Sequence, residues 1–336
     1  MKKVIRRIIA VLASLALLTV FAGVAYELLG RRRAARDFPP AGKLVDIGGR
    51  RIQLDCRGRG TPTVVFEAGL DMNGSLSWSA VHDSIAGTTR ACAYSRAGIM
   101  WSDPRDGPEN ARTTAEDLHA ALVTGGEVPP LVLVGHSLGG PYIMTYTKYF
   151  GADVAGLVFV DASHPDQVSR LKAVSSGPDP TAQTRMYKVA AALAWTGLVR
   201  ALASSMRGPP REPDHVVRAS AAYAATSLGT MIKELDAFDA TLAEAGTFRQ
   251  LGNRPVFVLT SMAPLSREEL ATMHLNPAQG QQLKEVWARM QDDEASWSPR
   301  SQHQFVADAS HYIQFDRPDI VIAAVRSVVD SVRAIR

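Results

Sequence analysis

Cysteine is scarce in this sequence, and no motif that would bind a metal ion accompanies it. The 336 residues contain two cysteines, Cys56 and Cys92, and no C-x-x-C pair. Metal sites built on cysteine need further thiolates or histidines at short, regular spacing. We therefore expect no bound metal, and we expect no cofactor.

The sequence also lacks a basic surface beyond its N-terminus. Its net charge is +4, yet two clusters of lysine and arginine within residues 1–36 supply eight positive charges, so the remainder is slightly acidic. A nucleic-acid partner is therefore not expected. Internal repeats and low-complexity segments are absent as well. With 46% hydrophobic and 21% charged residues, the composition is typical of a folded domain rather than a disordered chain.

What the N-terminus does contain is one long apolar run, residues 8–29, with no charge before Glu27. A helix of about 20 apolar residues spans the roughly 30 Å of a bilayer core, so we predict an uncleaved single-pass membrane anchor over residues 1–36. Two alternatives remain. A cleaved signal peptide, with Gly23 and Ala25 at the cleavage site, would give a secreted protein, and a buried helix would belong to a soluble domain. Basic residues balance on the two sides of the run and do not predict its orientation.

Short apolar runs of strand length follow, first as a hairpin and then in alternation with helices. This order predicts an α/β domain with a mostly parallel sheet. Residues 165–253 hold no convincing strand and are too long for a connection, so we predict a helical insertion that divides the core into residues 37–164 and 254–336. The eight predicted strands are KLVDIGG, RRIQLDC, TVVFEAG, RACAYS, PLVLVG, GLVFVDA, RPVFVLTS and HQFVAD.

The stretch LVLVGHSLGGPY, residues 131–142, places a serine between a predicted strand and a predicted helix. Gly135, Ser137 and Gly139 fit the pattern G-x-S-x-G, in which a sharp strand-to-helix turn exposes the serine hydroxyl. The glycines let strand and helix approach closely, and the free N–H groups of the helix point at the same spot. We predict that Ser137 is a nucleophile.

These residues, with LVFVDASHPDQ further on and the SHYIQ segment near the end, resemble the α/β-hydrolase superfamily from about residue 43 to residue 336. The nearest resemblance is to bacterial hydrolases that carry GHSLGG, often behind an N-terminal membrane segment. It implies an eight-stranded, mostly parallel sheet with an antiparallel second strand and helices on both faces. It also implies a lid inserted after strand six, and a catalytic serine, acid and histidine in that chain order.

A serine hydroxyl needs a base, and His311 follows the last predicted strand, where the resembled fold places its catalytic histidine. Many members of the superfamily take the acid from the loop after strand seven. Here residues 261–265 read SMAPL, with no carboxylate before Glu268. Asp161 ends strand six at the same sheet edge, so we predict that it is the triad acid. Glu268 and Asp308 are the alternatives if Asp161 instead caps the first turn of the insertion.

The resemblance also implies an oxyanion hole made by two backbone N–H groups, those of Leu70 and Leu138. Leu70 lies in the loop after the third predicted strand, and Glu67, just before this loop, is interpreted as structural. In the resembled group the fourth strand commonly ends in Tyr-Asp-Arg-Ala-Gly. Here Ser95 takes the place of the aspartate. Since serine cannot replace that charge, the geometry near Ser95 is in doubt, although this position lies outside the triad.

In the resembled sheet the strands of Cys56 and Cys92 are neighbours. A disulfide between them would indicate an oxidising compartment and an extracytoplasmic catalytic domain. The alternative is that both are small buried hydrophobes.

Together these features predict an esterase- or lipase-like serine hydrolase that cleaves an uncharged or apolar acyl ester of a small molecule. An alternative is a cofactor-free peroxidase-like enzyme or a carbon–carbon bond hydrolase on the same fold. A non-catalytic ligand-binding homologue is the alternative outside enzymes. The sequence predicts no oligomeric state.

Overall fold

The computed structural model describes residues 1–172, 174, 180–205, 207–209 and 211–335, with the backbone alone at residues 180–183. Eight strands form one sheet in the order β1-β2-β4-β3-β5-β6-β7-β8. Strand β2 is antiparallel to its neighbours β1 and β4, and every other adjacent pair is parallel. The predicted sheet, including its antiparallel second strand, is confirmed. The strands are β1 Lys43–Asp46, β2 Arg51–Arg57, β3 Thr63–Glu67, β4 Ala91–Ser95, β5 Leu131–His136, β6 Val154–Val160, β7 Val256–Ser261 and β8 Ser301–Val306.

Side chains of the central strands alternate between two apolar cores, one on each face of the sheet. In β3, Val64 and Phe66 pack into one core and Val65 into the other, as the two-residue period of a strand requires. Helices cover both faces, which explains why β3, β4, β5 and β7 are buried along their whole length. The core helices are α2 His82–Ala86, α3 Ala111–Gly125, α4 Gly139–Tyr149, α12 Ile313–Asp316 and α13 Pro318–Arg333.

The last helix shows how the sequence specifies this packing. Pro318 is the first residue of α13, where a missing N–H costs nothing. Val321, Val325, Val328 and Val332 then recur at helical spacing, and all four are buried against the sheet. Burying each such side chain contributes about 1.5–3 kcal/mol relative to leaving it in water.

Between β6 and β7, the described residues form helices and no strand. That they form a separate insertion stays a prediction. Two further helices, which the sequence analysis did not predict, lie between β7 and β8. The insertion helices are α5 Gln167–Leu171, α6 Pro180–Ala192, α7 Leu198–Ala203, α8 Asp214–Asp236 and α9 Phe238–Gly246, and the two others are α10 Arg267–Thr272 and α11 Pro277–Ala295.

The N-terminal helix α1, Lys2–Asp37, is long and apolar enough to cross a membrane, and its most apolar stretch is not buried. A signal sequence would meet the same criterion. Towards its C-terminal end the helix packs against the insertion. There the buried Glu27 accepts a hydrogen bond of 2.8 Å from Arg200 of α7.

Cys56 and Cys92 are register partners on the antiparallel pair β2 and β4, and their sulfur atoms are bonded. The sequence left open whether the two cysteines form a disulfide or are separate buried hydrophobes, and the structure has the disulfide. The bridge closes a loop with a sequence separation of 36 residues.

Candidate active site

Ser137 occupies the turn between β5 and α4 with a backbone φ of 52°, a left-handed conformation that is uncommon for residues other than glycine. The flanking glycines are required by close packing. A Cβ atom on Gly135 would lie 2.5 Å from the carbonyl oxygen of Gly139, and one on Gly139 would lie 2.5 Å from that of Glu67. The pattern G-x-S-x-G therefore has a steric cause here, and it holds Ser137 at the carboxyl end of the sheet.

Asp161 directly follows β6 and also has a positive φ, of 44°. Its carboxylate is buried and accepts four hydrogen bonds. The backbone N–H of Ser261 and the indole N–H of Trp287 donate to Oδ1, at 2.8 and 2.9 Å. The Ser261 hydroxyl and Nδ1 of His311 donate to Oδ2, at 2.8 and 2.6 Å. The acceptor capacity of the carboxylate is thus almost completely used.

These contacts keep Asp161 ionised despite its burial. Burial by itself raises the pKa of this carboxyl, but the hydrogen bond and charge of His311, the nearby Lys284 and the Ser261 amide together lower the pKa below its usual value. Lys284 acts partly through Ser261, because its ammonium group donates to the hydroxyl and carbonyl oxygens of that residue, at 3.0 and 3.1 Å.

His311 lies in the loop between β8 and α12, and its side chain is 37% exposed. Because a carboxylate only accepts hydrogen bonds, the contact with Asp161 assigns the proton to Nδ1 and leaves Nε2 available as a base. The backbone carbonyl of His311 accepts a hydrogen bond of 2.9 Å from Nε2 of His136, the residue before Ser137. The two imidazole rings lie 4.7 Å apart between centroids, which brings the His311 loop beside the serine turn.

Gly69 and Leu70 lie against the same turn. A Cβ atom on Gly69 would lie 2.9 Å from Cβ of Ser137, so only glycine fits this approach. Leu70 packs against Leu138 in a small apolar cluster. Within the described part of the chain, the backbone N–H groups of Leu70 and Leu138 have no hydrogen-bond acceptor.

Arg96 fixes the backbone of this loop from the opposite side. Its guanidinium donates to the carbonyl oxygens of Ala68 and Gly69, at 2.8 and 2.6 Å. The same group pairs with Glu67 of β3 at 2.9 Å and with Glu234 of α8 at 2.7 Å. All three ionisable side chains are buried, so the network ties the loop beside Ser137 to the helical insertion.

Burial raises the pKa of Glu67 to about 7, although Arg96 acts in the opposite direction. Glu67 also accepts a hydrogen bond from the hydroxyl of Tyr94. The doubt that the sequence raised about Ser95 is resolved by a neutral partner. The Ser95 hydroxyl donates to Oε1 of Gln53 at 2.8 Å, so the site needs no charge at this position.

The alternative acids lie away from His311. Glu268 is exposed in the first turn of α10. Asp308 has a 63% exposed side chain and pairs with Arg317 at 2.8 Å. Among the carboxylates that the structure describes, Asp161 is the one bonded to His311.

A cavity of about 330 Å³ opens beside His311 and Asp161, a size suited to a small organic molecule. Its lining is mostly apolar, with Asp161, Glu269 and Lys284 as its charged members. The apolar lining residues include Leu171, Leu265, Met273, Leu283, Trp287 and Tyr312.

Two clusters of the described residues have the composition of a metal site. In the first, Cys56 and Cys92 beside Glu127, the two sulfur atoms are bonded to each other and offer no thiolate. The second is His164, Asp166 and Asp293. Arginines already pair with its carboxylates. Arg170 contacts Asp293 at 2.7 Å, and Arg249 contacts Asp166 at 2.5 Å. The cluster is therefore neutralised without a cation.

Sequence reasoning missed three residues around Asp161. Ser261 was visible as a polar residue ending β7, at the place where a carboxylate was sought, and this position was the available signal. Lys284 and Trp287 lie one turn apart on α11, a helix whose polar sequence carries no motif. Their relation to Asp161 exists only in the folded chain.

The chain belongs to the alpha/beta hydrolase family, whose sequence model matches residues 11–324. Among curated proteins it is similar to a probable transporter, efuK, of Hormonema carpetanum, with 35% identity over 130 residues that cover 36% of this chain and 18% of that protein. It is also 23% identical to the uncharacterized protein YbdG of Bacillus subtilis, over 49% of this chain and 51% of that one. The chain thus spans about half or less of the length of these curated relatives.

Similar solved structures include a thermophilic esterase from Thermogutta terrifontis, with 18% identity and a TM-score of 0.58 over 87% of this chain and 98% of that one. A bromoperoxidase from Bacillus anthracis has 16% identity and a TM-score of 0.60, over 86% of this chain and 99% of that one. An enol-lactonase from Burkholderia xenovorans has 16% identity and a TM-score of 0.59, over 86% of this chain and 100% of that one. At such identities the likeness confirms the α/β-hydrolase fold alone, because one fold hosts many chemistries.

Proposed function

We propose that this protein is an esterase- or lipase-like serine hydrolase that cleaves an uncharged or apolar acyl ester through a Ser-His-Asp triad. The observation that carries the proposal is the 2.6 Å contact between Nδ1 of His311 and Oδ2 of Asp161, beside a serine held in a strained turn. A buried carboxylate on a partly exposed imidazole is the arrangement that makes a histidine a directed base.

In the proposed reaction, the hydroxyl oxygen of Ser137 attacks the ester carbonyl while Nε2 of His311 takes the hydroxyl proton. Asp161 holds the tautomer of His311 and stabilises the imidazolium. The N–H groups of Leu70 and Leu138 bind the oxyanion of the tetrahedral intermediate. His311 then protonates the leaving alcohol, and water, activated by the same base, releases the acid from Ser137.

The substrate class follows from the cavity beside His311. Its apolar lining favours an uncharged acyl group, since desolvating a charge there would be costly. Helix α1 anchors the enzyme to a membrane, and the disulfide between Cys56 and Cys92 is suited to an extracytoplasmic catalytic domain. The helical insertion acts as a lid over the site.

Hydrolysis of p-nitrophenyl esters of short fatty acids by the full chain in detergent tests this proposal. Wild type is expected to turn over, and Ser137→Ala is expected to lose activity by a factor of about 10⁴ or more. Folded wild-type protein without turnover would favour a ligand-binding protein. Ester turnover that survives in Ser137→Ala would also contradict the proposal.

A further inference from the structure

The insertion exposes an unusual run of large apolar side chains between residues 186 and 202. Two of them lie three residues apart on α6 and two lie four residues apart on α7, so each pair shares one face of its helix, and the other two lie between the helices. Each is between 38% and 61% exposed, although water makes such exposure unfavourable. The residues of this apolar segment are Met186, Val189, Leu193, Trp195, Leu198 and Leu202.

The apolar segment is fixed directly against helix α1. A Cβ atom on Gly23 would lie 2.2 Å from the carbonyl oxygen of Thr196, and one on Gly197 would lie 2.6 Å from that of Gly23. The two backbones therefore touch. The buried ion pair between Arg200 and Glu27, at 2.8 Å, locks the contact in place.

The length of the exposed part of α1 before Gly23 determines how deep in a bilayer this contact would lie. Before Gly23 the helix is exposed, and its last charged residue in the N-terminal cluster is Arg7. Residues 8–22 make about 22 Å of helix at 1.5 Å per residue. That is shorter than the roughly 30 Å of a bilayer core. A bilayer that covers the free part of α1 therefore extends past Gly23, to the level of Trp195 and Leu198.

Charge placement agrees with this depth. About two to four turns after Gly23 come four exposed arginines, Arg31, Arg32, Arg33 and Arg36. Arg31 also pairs with Glu27, and Arg36 pairs with Asp37. The four arginines are thus placed to meet lipid phosphates beyond the hydrocarbon boundary. Trp195, 53% exposed, lies where indole rings are enriched, at the boundary between hydrocarbon and headgroups.

We propose that the apolar segment 186–202 lies in the interfacial region of the same lipid bilayer that α1 crosses. The inference rests on the anchoring role of α1 proposed above, and not on catalysis. The partner is the lipid phase itself, in contact with a second, non-spanning part of the chain.

The test uses the full chain in phosphatidylcholine vesicles and compares lipids with and without bromine on their acyl chains, because bromine quenches tryptophan emission at contact. We expect brominated lipid to reduce the emission of wild type. Trp195→Phe is expected to lose this quenching, whereas Trp297→Phe, which removes a buried indole, is expected to keep it. Adding Leu198→Trp to Trp195→Phe is expected to restore the quenching.

Equal quenching in wild type and Trp195→Phe would overturn the proposal. A second outcome would also overturn it: no quenching in wild type, together with a dimer in detergent that Leu202→Ser converts to a monomer. The apolar segment would then pair two chains. Quenching does not require turnover. Ester hydrolysis by the same vesicles therefore reports separately on the proposed function.

Discussion

At the scale of single residues, Asp161 links His311 to β7 and α11. Its four donors come from β7, α11 and the His311 loop, so its charge holds three elements in register. Replacing it has two separable effects, on the tautomer of His311 and on local packing.

Asp161→Asn keeps the shape of the side chain but presents an amide to Nδ1 of His311, which favours the wrong tautomer. We expect kcat for ester hydrolysis to fall by about 10⁴. Glu268→Gln and Asp308→Asn are the matched controls, and we expect both to retain wild-type kcat, because neither carboxylate contacts His311. A large loss in Glu268→Gln with full activity in Asp161→Asn would identify a different acid.

Ser261 is a positioning residue, since it touches Asp161 and not the proposed substrate. Ser261→Ala removes one of the four hydrogen bonds and one contact of Lys284. A bond to a charged group contributes about 1.5–3 kcal/mol, so we expect kcat to fall by roughly 10- to 100-fold with little change in KM. Ser261→Thr, which keeps a hydroxyl, is expected to recover most of the loss. A change confined to KM would contradict the positioning role.

His136 makes a testable contribution to the pH dependence of stability. Burial, with a smaller effect of His311, lowers the pKa of His136 to about 3. In the unfolded chain this imidazole takes up a proton below about pH 6.5. The unfolded state then binds more protons than the folded one, so the stabilisation is complete above pH 6.5 and is lost as the pH falls towards 3.

Urea unfolding between pH 7 and 5 measures this effect. The loss attributable to His136 approaches about 1.4 kcal/mol per pH unit. His136→Gln keeps an N–H donor for the His311 carbonyl but does not titrate, and we expect a shallower slope for this variant. Identical slopes for the two proteins would show that His136 is protonated in the folded state or exposed.

At the scale of elements, strands were more predictable than helices. Each of the six runs that predict β3–β8 corresponds to a strand, and four of the six are short and nearly continuously apolar. Helices α10 and α11 were missed because their sequences are rich in Gln, Glu, Asp and Arg, with Gly280 in the interior. Their few apolar residues make contacts that only the folded sheet edge supplies. Lys284 and Trp287 lie on α11, so these two residues were missed for the same reason as the helix that carries them.

The link that Arg96 makes between α8 and the loop of Ala68 and Gly69 has a measurable strength. Glu234→Ala leaves the buried guanidinium of Arg96 with one carboxylate instead of two, and we expect a loss of about 3 kcal/mol or more in the free energy of unfolding. Asp236→Ala, on the same helix, breaks a half-exposed pair with Lys188 and is expected to cost less than about 1 kcal/mol. Chemical denaturation in detergent measures both. Equal, small losses would mean that Arg96 does not need α8.

At the scale of the whole molecule, the disulfide provides a test of the proposed extracytoplasmic location of the catalytic domain. The loop closed by Cys56 and Cys92, with a separation of 36 residues, gives an entropic stabilisation of about 4 kcal/mol. Because Cys92 is buried in the folded protein, the labelling is done in urea, where we expect neither cysteine to react with maleimide before reduction. The double substitution Cys56→Ser and Cys92→Ser is expected to lower the free energy of unfolding by a similar amount. Reaction of both cysteines in unreduced protein would contradict an oxidising compartment.

Whether Ser137 is a nucleophile activated by His311 can be measured by labelling the full chain with a fluorophosphonate and mapping the labelled peptide by mass spectrometry. We expect one phosphonylated residue, Ser137, with labelling abolished in Ser137→Ala and strongly slowed in His311→Ala. A folded wild-type protein that stays unlabelled, or a label on another residue, would contradict the account.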